Sequence, residues 1–136
     1  MAARWGDERI VARFWASLYA TVDSTFKAHP GDEAAHVAER IALRDSIYTQ
    51  ARERLIHELG PQLRTISLRS LERTRLDNAM LMARRVYLTD LDAFDAVLTK
   101  NGGDLRRTIQ DIIAAAKSDR DKPFDAVKRL VAPATP

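Results

Sequence analysis

Apolar residues recur at Ile10, Val11, Phe14, Trp15, Leu18, Tyr19, Val22 and Phe26. This is the i, i+3, i+4, i+7 spacing of one helix face, and it predicts an amphipathic helix over 7–28 that carries most of the aromatic weight. His29-Pro30-Gly31 stops that helix. Asp32 is placed to cap the next one, with Glu33 in its first turn, where the helix dipole favours an acid. A second stripe, Ala34, Val37, Ala38, Ile41, Tyr48, Ala51, Leu55 and Leu59, predicts a long helix over 34–59. At 1.5 Å per residue it spans about 40 Å. Gly60-Pro61 ends it, by a left-handed residue followed by one with no N–H to donate.

The periodicity is weaker over 62–76, which reads as a loop or a short helix. Thr74-Arg75-Leu76-Asp77 then looks like a capping pair opening a helix over 76–88, with Ala79, Met80, Ala83 and Tyr87 on its buried face. Thr89-Asp90-Leu91-Asp92 repeats the signal for a short helix bearing Leu91, Phe94, Val97 and Leu98, ended by Asn101-Gly102. Asp104 caps a further helix with Leu105, Thr108, Ile109, Ile112, Ile113 and Ala116 on one side. Pro123 suits a first helical position, and Phe124, Val127, Leu130 and Val131 form the last stripe, before a frayed tail at 133–136. The expectation is an all-α fold: two long antiparallel helices with three or four shorter helices packed across them, in a single helical domain over 1–132. No repeat at a fixed period points to a solenoid.

Composition narrows the class. The chain has 136 residues, 46% of them hydrophobic and 30% charged, which suits a globular domain with its own core. The lack of Cys excludes disulfides, thiolate metal sites and a cysteine nucleophile. Of 22 basic residues only Lys27, Lys100, Lys117, Lys122 and Lys128 are Lys, and the rest are Arg. No stretch approaches the roughly 20 apolar residues of a spanning helix. The first ten residues already hold Arg4, Asp7, Glu8 and Arg9, so no signal peptide is read there. The compartment is cytoplasmic by default, or periplasmic if the chain belongs to a longer exported protein.

Motifs for chemistry are sparse. His57-Glu58-Leu59-Gly60-Pro61 opens like a His-Glu-x-x-His zinc signature, but Pro61 stands where the second His is needed. His36 lies at ion-pairing distance along the helix from Glu33, Glu39 or Arg40, and His29 is placed to meet the last carbonyls of the first helix. No metal site is expected in this chain. No Ser lies in a Gly-x-Ser-x-Gly elbow, and Asn101-Gly102-Gly103-Asp104 reads as a turn because Asp104 would repel a phosphate. Over 62–87, Arg64, Arg69, Arg73, Arg75, Arg84 and Arg85 face only Glu72 and Asp77, a patch suited to an anionic partner. Without an aromatic stacking platform or a helix-turn-helix pattern, nucleic acid is the lesser reading of it.

One string is more specific. Leu76-Asp77-Asn78-Ala79-Met80-Leu81, then Tyr87, Leu91-Asp92-Ala93-Phe94, Leu98 and Gly102-Gly103-Asp104-Leu105 resembles the C-terminal end of the predicted zinc aminopeptidases of bacteria. The long helices, with Ala51-Arg52-Glu53-Arg54-Leu55 in the second, are similar to those that follow the His-Glu-x-x-His motif in that family. The resemblance implies a non-catalytic helical part that supports an active site supplied by other sequence, with zinc held only in a full-length relative. It implies site-lining roles for Asn78 and Tyr87, with Asp77 in place of the first Asn of the family's pair. Nine residues apart on one unbroken helix, Asn78 and Tyr87 point in opposite directions. The alternative is a free-standing helical protein-interaction module, using an exposed apolar stripe or the Arg-rich face.

Overall fold

The computed structural model describes residues 2–88 and 90–132 and is all-helical there. The elements are α1 (Ala2–Ala28), α2 (Ala34–Glu53), a π-helical turn (Arg54–Leu59), a 3-10 turn (Gly60–Gln62), α3 (Leu68–Glu72), α4 (Asn78–Leu88), α5 (Leu91–Lys100), α6 (Leu105–Ser118) and α7 (Pro123–Arg129). The contacts gather into two compact units, Met1–Thr89 and Asp90–Pro136, here unit 1 and unit 2. The expected tail at 133–136 lies outside the described residues.

In unit 1 the connection at 29–33 returns the chain so that α2 packs on α1, as the two stripes predict. Phe14, Trp15, Leu18 and Val22 of α1 meet Tyr48, Ala51, Leu55, Leu71 and Leu81 in a single buried cluster. Phe14 and Trp15 stand edge to face with centroids 5.5 Å apart, the arrangement favoured by ring quadrupoles. α4 packs on α1 as well.

Four expected caps differ. Glu33, not Asp32, flanks the start of α2, and its side chain makes no capping hydrogen bond. Gly60 is right-handed, with φ −48°, and continues the helical path instead of reversing it. Pro61 is the cause: it cannot donate to the carbonyl four residues back, and its ring crowds that carbonyl. The backbone therefore widens into the π-helical turn and then tightens into the 3-10 turn. The third is the Thr74–Asp77 pair: the Thr74 hydroxyl donates to the Ser70 carbonyl at 3.0 Å instead of capping, and Asp77 is itself the cap, accepting from Met80 N–H at 2.8 Å, so α4 begins at Asn78 and not at Leu76. The fourth is Asp90, left-handed at φ 60° before α5, whose side chain caps nothing and pairs with Lys128 at 3.0 Å. Thr89, the other half of that expected signal, lies outside the described residues.

The buried face of α4 also differs from expectation. Leu81 is buried, Met80 is half-buried, and Ala79, Ala83 and Tyr87 are exposed, Tyr87 at 78%. Leu81 and Leu88, one heptad apart, both pack into the core and set the inward arc. The alanines are small enough to stand on either side, and Tyr87 falls outside that arc.

A buried acid joins the start of α1 to the loop at 63–67. Asp7 is 2% exposed, and its carboxylate accepts from the backbone N–H groups of Arg64, Thr65 and Ile66 and from the Thr65 hydroxyl, at 2.6–3.2 Å. Those bonds favour the charged form, the Thr65 hydroxyl most, and outweigh burial, so the Asp7 pKa falls to about 2.

Unit 2 is built on smaller side chains. Val97, Ala115, Ala126 and Val127 form its buried cluster, with Phe94, Ile112, Leu130 and Val131 packed against it. The corner between α5 and α6 follows the sequence: Gly102 and Gly103 take φ of 64° and 84°, and the Asp104 side chain caps α6 through Arg107 N–H. Pro123 begins α7.

Candidate functional site

The Asn78 string meets a cleft in unit 1. Tyr19, Val22, Asp23 and Phe26 on α1 and Asn78, Leu81 and Met82 on α4 line a cavity of about 240 Å³. Both walls follow from helical periodicity. On α1 the positions i, i+3, i+4 and i+7 from Tyr19 supply one edge, and on α4 Asn78, Leu81 and Met82 stand at i, i+3 and i+4. Val22 and Leu81 are buried at its base, whereas Met82 is exposed.

The polar groups of the cleft are committed to one another. Tyr48 on α2 donates its hydroxyl to Asn78 Oδ1 at 2.6 Å, and burial pushes its pKa up, which keeps that proton in place. Lys27 donates to Asp23 at 2.8 Å, and this bond raises the Lys27 pKa. Arg85 lies over the Tyr19 ring, 4.1 Å from its centroid, and donates to the Tyr19 hydroxyl. The Asn78 Nδ2 amide group has no hydrogen-bond partner among the described residues and is exposed at the cleft edge. Tyr87 projects from the opposite edge of α4, away from the cleft, as a nine-residue separation on one helix demands.

The six arginines are put to different uses. Arg84 extends over the Trp15 ring at 6.0 Å, with its Nε buried and without a hydrogen-bond partner, while Arg85 is stacked on Tyr19. Arg75 is paired with Asp77 at 3.0 Å. Arg64, Arg69 and Arg73 are exposed, on or beside α3. The structure therefore turns two of the six onto aromatic rings of α1, neutralises a third and leaves three outward.

The histidines are likewise separate. His29 Nδ1 lies 2.9 Å from the Thr25 carbonyl at the end of α1, as its sequence position suggests, with Nε2 3.7 Å from Glu39. His57 is 3.2 Å from Glu53 in the π-helical turn region. Among the described residues no group of three or more His, Cys, Asp or Glu side chains is placed to hold a metal ion, and no helix is long and apolar enough to cross a membrane.

The α1 wall of the cleft, Tyr19 and Asp23, was not among the residues singled out for function. Its signal was present as the outer edge of the first stripe, beside the i, i+4 pair Asp23 and Lys27. Tyr48 stood in the second stripe as a core residue, and only the approach of α4 reveals its bond to Asn78. Against protein-family models, curated proteins and solved structures, the chain has no match.

Proposed function

We propose that this chain is a non-catalytic helical scaffold that seats a segment of another polypeptide in the α1–α4 cleft. The observation that carries the reading is the combination at Asn78: its oxygen is held by Tyr48, and its amide N–H groups stand free beside an apolar base and the exposed Met82. A fixed donor next to apolar surface suits a backbone carbonyl flanked by an apolar side chain. The remaining polar groups at the cleft are already bonded in pairs, which favours binding over chemistry. In the form suggested by the likeness to zinc aminopeptidases, the seated segment belongs to an upstream catalytic region that carries the zinc. In the free-standing form it belongs to a separate protein.

Site-specific photocrosslinking in the source cells tests this. A photoreactive phenylalanine at position 82 is expected to trap one defined polypeptide, and the same group at position 87 is not. Asn78→Ala is expected to weaken the position-82 crosslink while costing about 1 kcal/mol of stability or less, the net worth of one hydrogen bond. Equal trapping at 82 and 87, or none at 82, overturns the reading.

A further inference from the structure

Unit 2 presents a face of α6 that its own core does not use. Thr108 and Ala115 are buried, and Ile112 packs against the core from the same side. Leu105, Ile109 and Ile113 follow at i, i+4 and i+8 and are 62%, 48% and 47% exposed. They form one i±4 ridge, the row of side chains that inserts into the groove of a second helix. The charges around this ridge have one sign. Arg106 and Lys117, which border it on the helix surface, are exposed, and neither has a carboxylate partner among the described residues. Elsewhere in the unit, Lys128 is paired with Asp90 and Asp125, and Arg129 with Asp119. The acid of α6 itself, Asp111, is half-buried and accepts from Asn101 at 2.9 Å.

We propose that the Leu105, Ile109 and Ile113 ridge of α6 docks an amphipathic helix of a partner protein whose apolar face is bordered by acidic residues. Charge selects the occupant. In a second copy, antiparallel α6 helices would set Arg106 against Lys117, and parallel ones would set like against like, so a self-pair is repulsive either way. A bilayer surface calls for a broad apolar face, whereas Leu105 to Ile113 sweeps only about 80° at 100° per residue. An acidic helix crossing at roughly −50° fills the grooves beside the ridge and brings carboxylates to Arg106 and Lys117. This surface stands on unit 2 alone, so it survives or fails separately from the α1–α4 cleft.

The test is a nuclear magnetic resonance titration of the full chain, with amide shifts locating the site. The probes are a synthetic helical peptide with Leu at i, i+4 and i+8 bordered by Glu, the same peptide with every Glu replaced by Lys, and phosphatidylglycerol vesicles. The Glu peptide is expected to shift resonances over 105–117 and to bind at least about tenfold more tightly than the Lys peptide, an advantage that shrinks with added salt. Ile109→Gln is expected to lower that affinity about tenfold at unchanged helix content, and Arg106→Glu with Lys117→Glu to reverse the preference between peptides. Equal affinity for both peptides, no binding of either, shifts that spare α6, stronger capture by vesicles, or a dimer that Ile109→Gln dissolves would each overturn the proposal.

Discussion

Unit 1 closes over large rings and a carboxylate, with Trp15, Phe14 and Tyr48 in its core and Asp7 holding the loop at 63–67, whereas unit 2 closes over Val97, Ala115, Ala126 and Val127. The side chains differ in what they ask of the backbone. Aromatic rings fill wide spaces between helices and leave irregular loops to be tied by polar groups. Valine and alanine fill little, so the helices of unit 2 must approach closely, and their ends must be fixed by turns and caps. Unit 2 has those fixings: Gly102 and Gly103 at positive φ, the Asp104 cap, the Asn101 bonds to Thr108 and Asp111, and the Arg129–Asp119 pair that draws the Asp119 pKa down. In unit 1 a polar group organises a loop between helices; in unit 2 polar groups organise the corners at helix ends.

Asp7 is the strongest place to break that contrast. Asp7→Asn keeps the shape but turns an acceptor oxygen into a donor facing the N–H groups of Arg64, Thr65 and Ile66. We expect Tm to fall on the order of 10 °C. Both Trp residues, Trp5 and Trp15, lie in unit 1, so indole fluorescence follows that unit. The pH dependence has a definite sign. The folded pKa, about 2, lies below the ordinary 3.8, so the stabilisation is complete above about pH 4 and is lost as pH falls towards 2. The variant is expected to show a flatter fall in fluorescence-monitored stability over that window. An equally steep fall would remove Asp7 from its role.

The sequence made this acid partly legible. Asp7 continues the α1 stripe through Val11, Phe14, Leu18 and Val22 at helical intervals, so an acid on the apolar face was visible. Its partners were not, because the donating N–H groups lie 57–59 positions away in a loop without periodicity. The same limit explains the cleft. Local signals carried the helices, the Asp104 cap and the Gly102-Gly103 corner, since each is decided within a few residues. The meeting of Tyr48 with Asn78, the turning of Arg84 and Arg85 onto α1 rings and the exposure of Tyr87 depend on how helices pack, which one helix's pattern leaves open. The π-helical turn was hidden for another reason. Gly60-Pro61 usually stops a helix, and here the chain keeps its course by changing pitch.

Val97 sharpens the comparison from the other side. It is 1% exposed, in the buried cluster with Ala115, Ala126 and Val127. Val97→Ala is expected to cost about 2 kcal/mol, from lost burial together with the cavity left behind. Because unit 2 contains neither Trp nor Tyr, the effect should register in far-ultraviolet circular dichroism and leave the indole transition of unit 1 nearly in place. Coincident shifts in both signals would show that the two cores do not unfold as separate structures.

The smallest effect comes from the corner that fixes unit 2. Gly102 stands at φ 64°, its N–H bonded to the Thr99 carbonyl at 3.0 Å, and an added Cβ there would meet nothing within 4 Å. Any cost of substitution is therefore the cost of left-handed backbone itself, free of collision. Gly102→Ala should destabilise by about 1 kcal/mol, and Gly102→Val by somewhat more, since a branched Cβ resists positive φ. Gly102→Asn should recover much of the loss, because Asn tolerates that region. The order Gly, Asn, Ala, Val in circular dichroism melts would establish that the corner holds unit 2 through backbone geometry. Equal stability across the series would mean that the turn relaxes to negative φ, leaving the small-residue core to hold the helices without it.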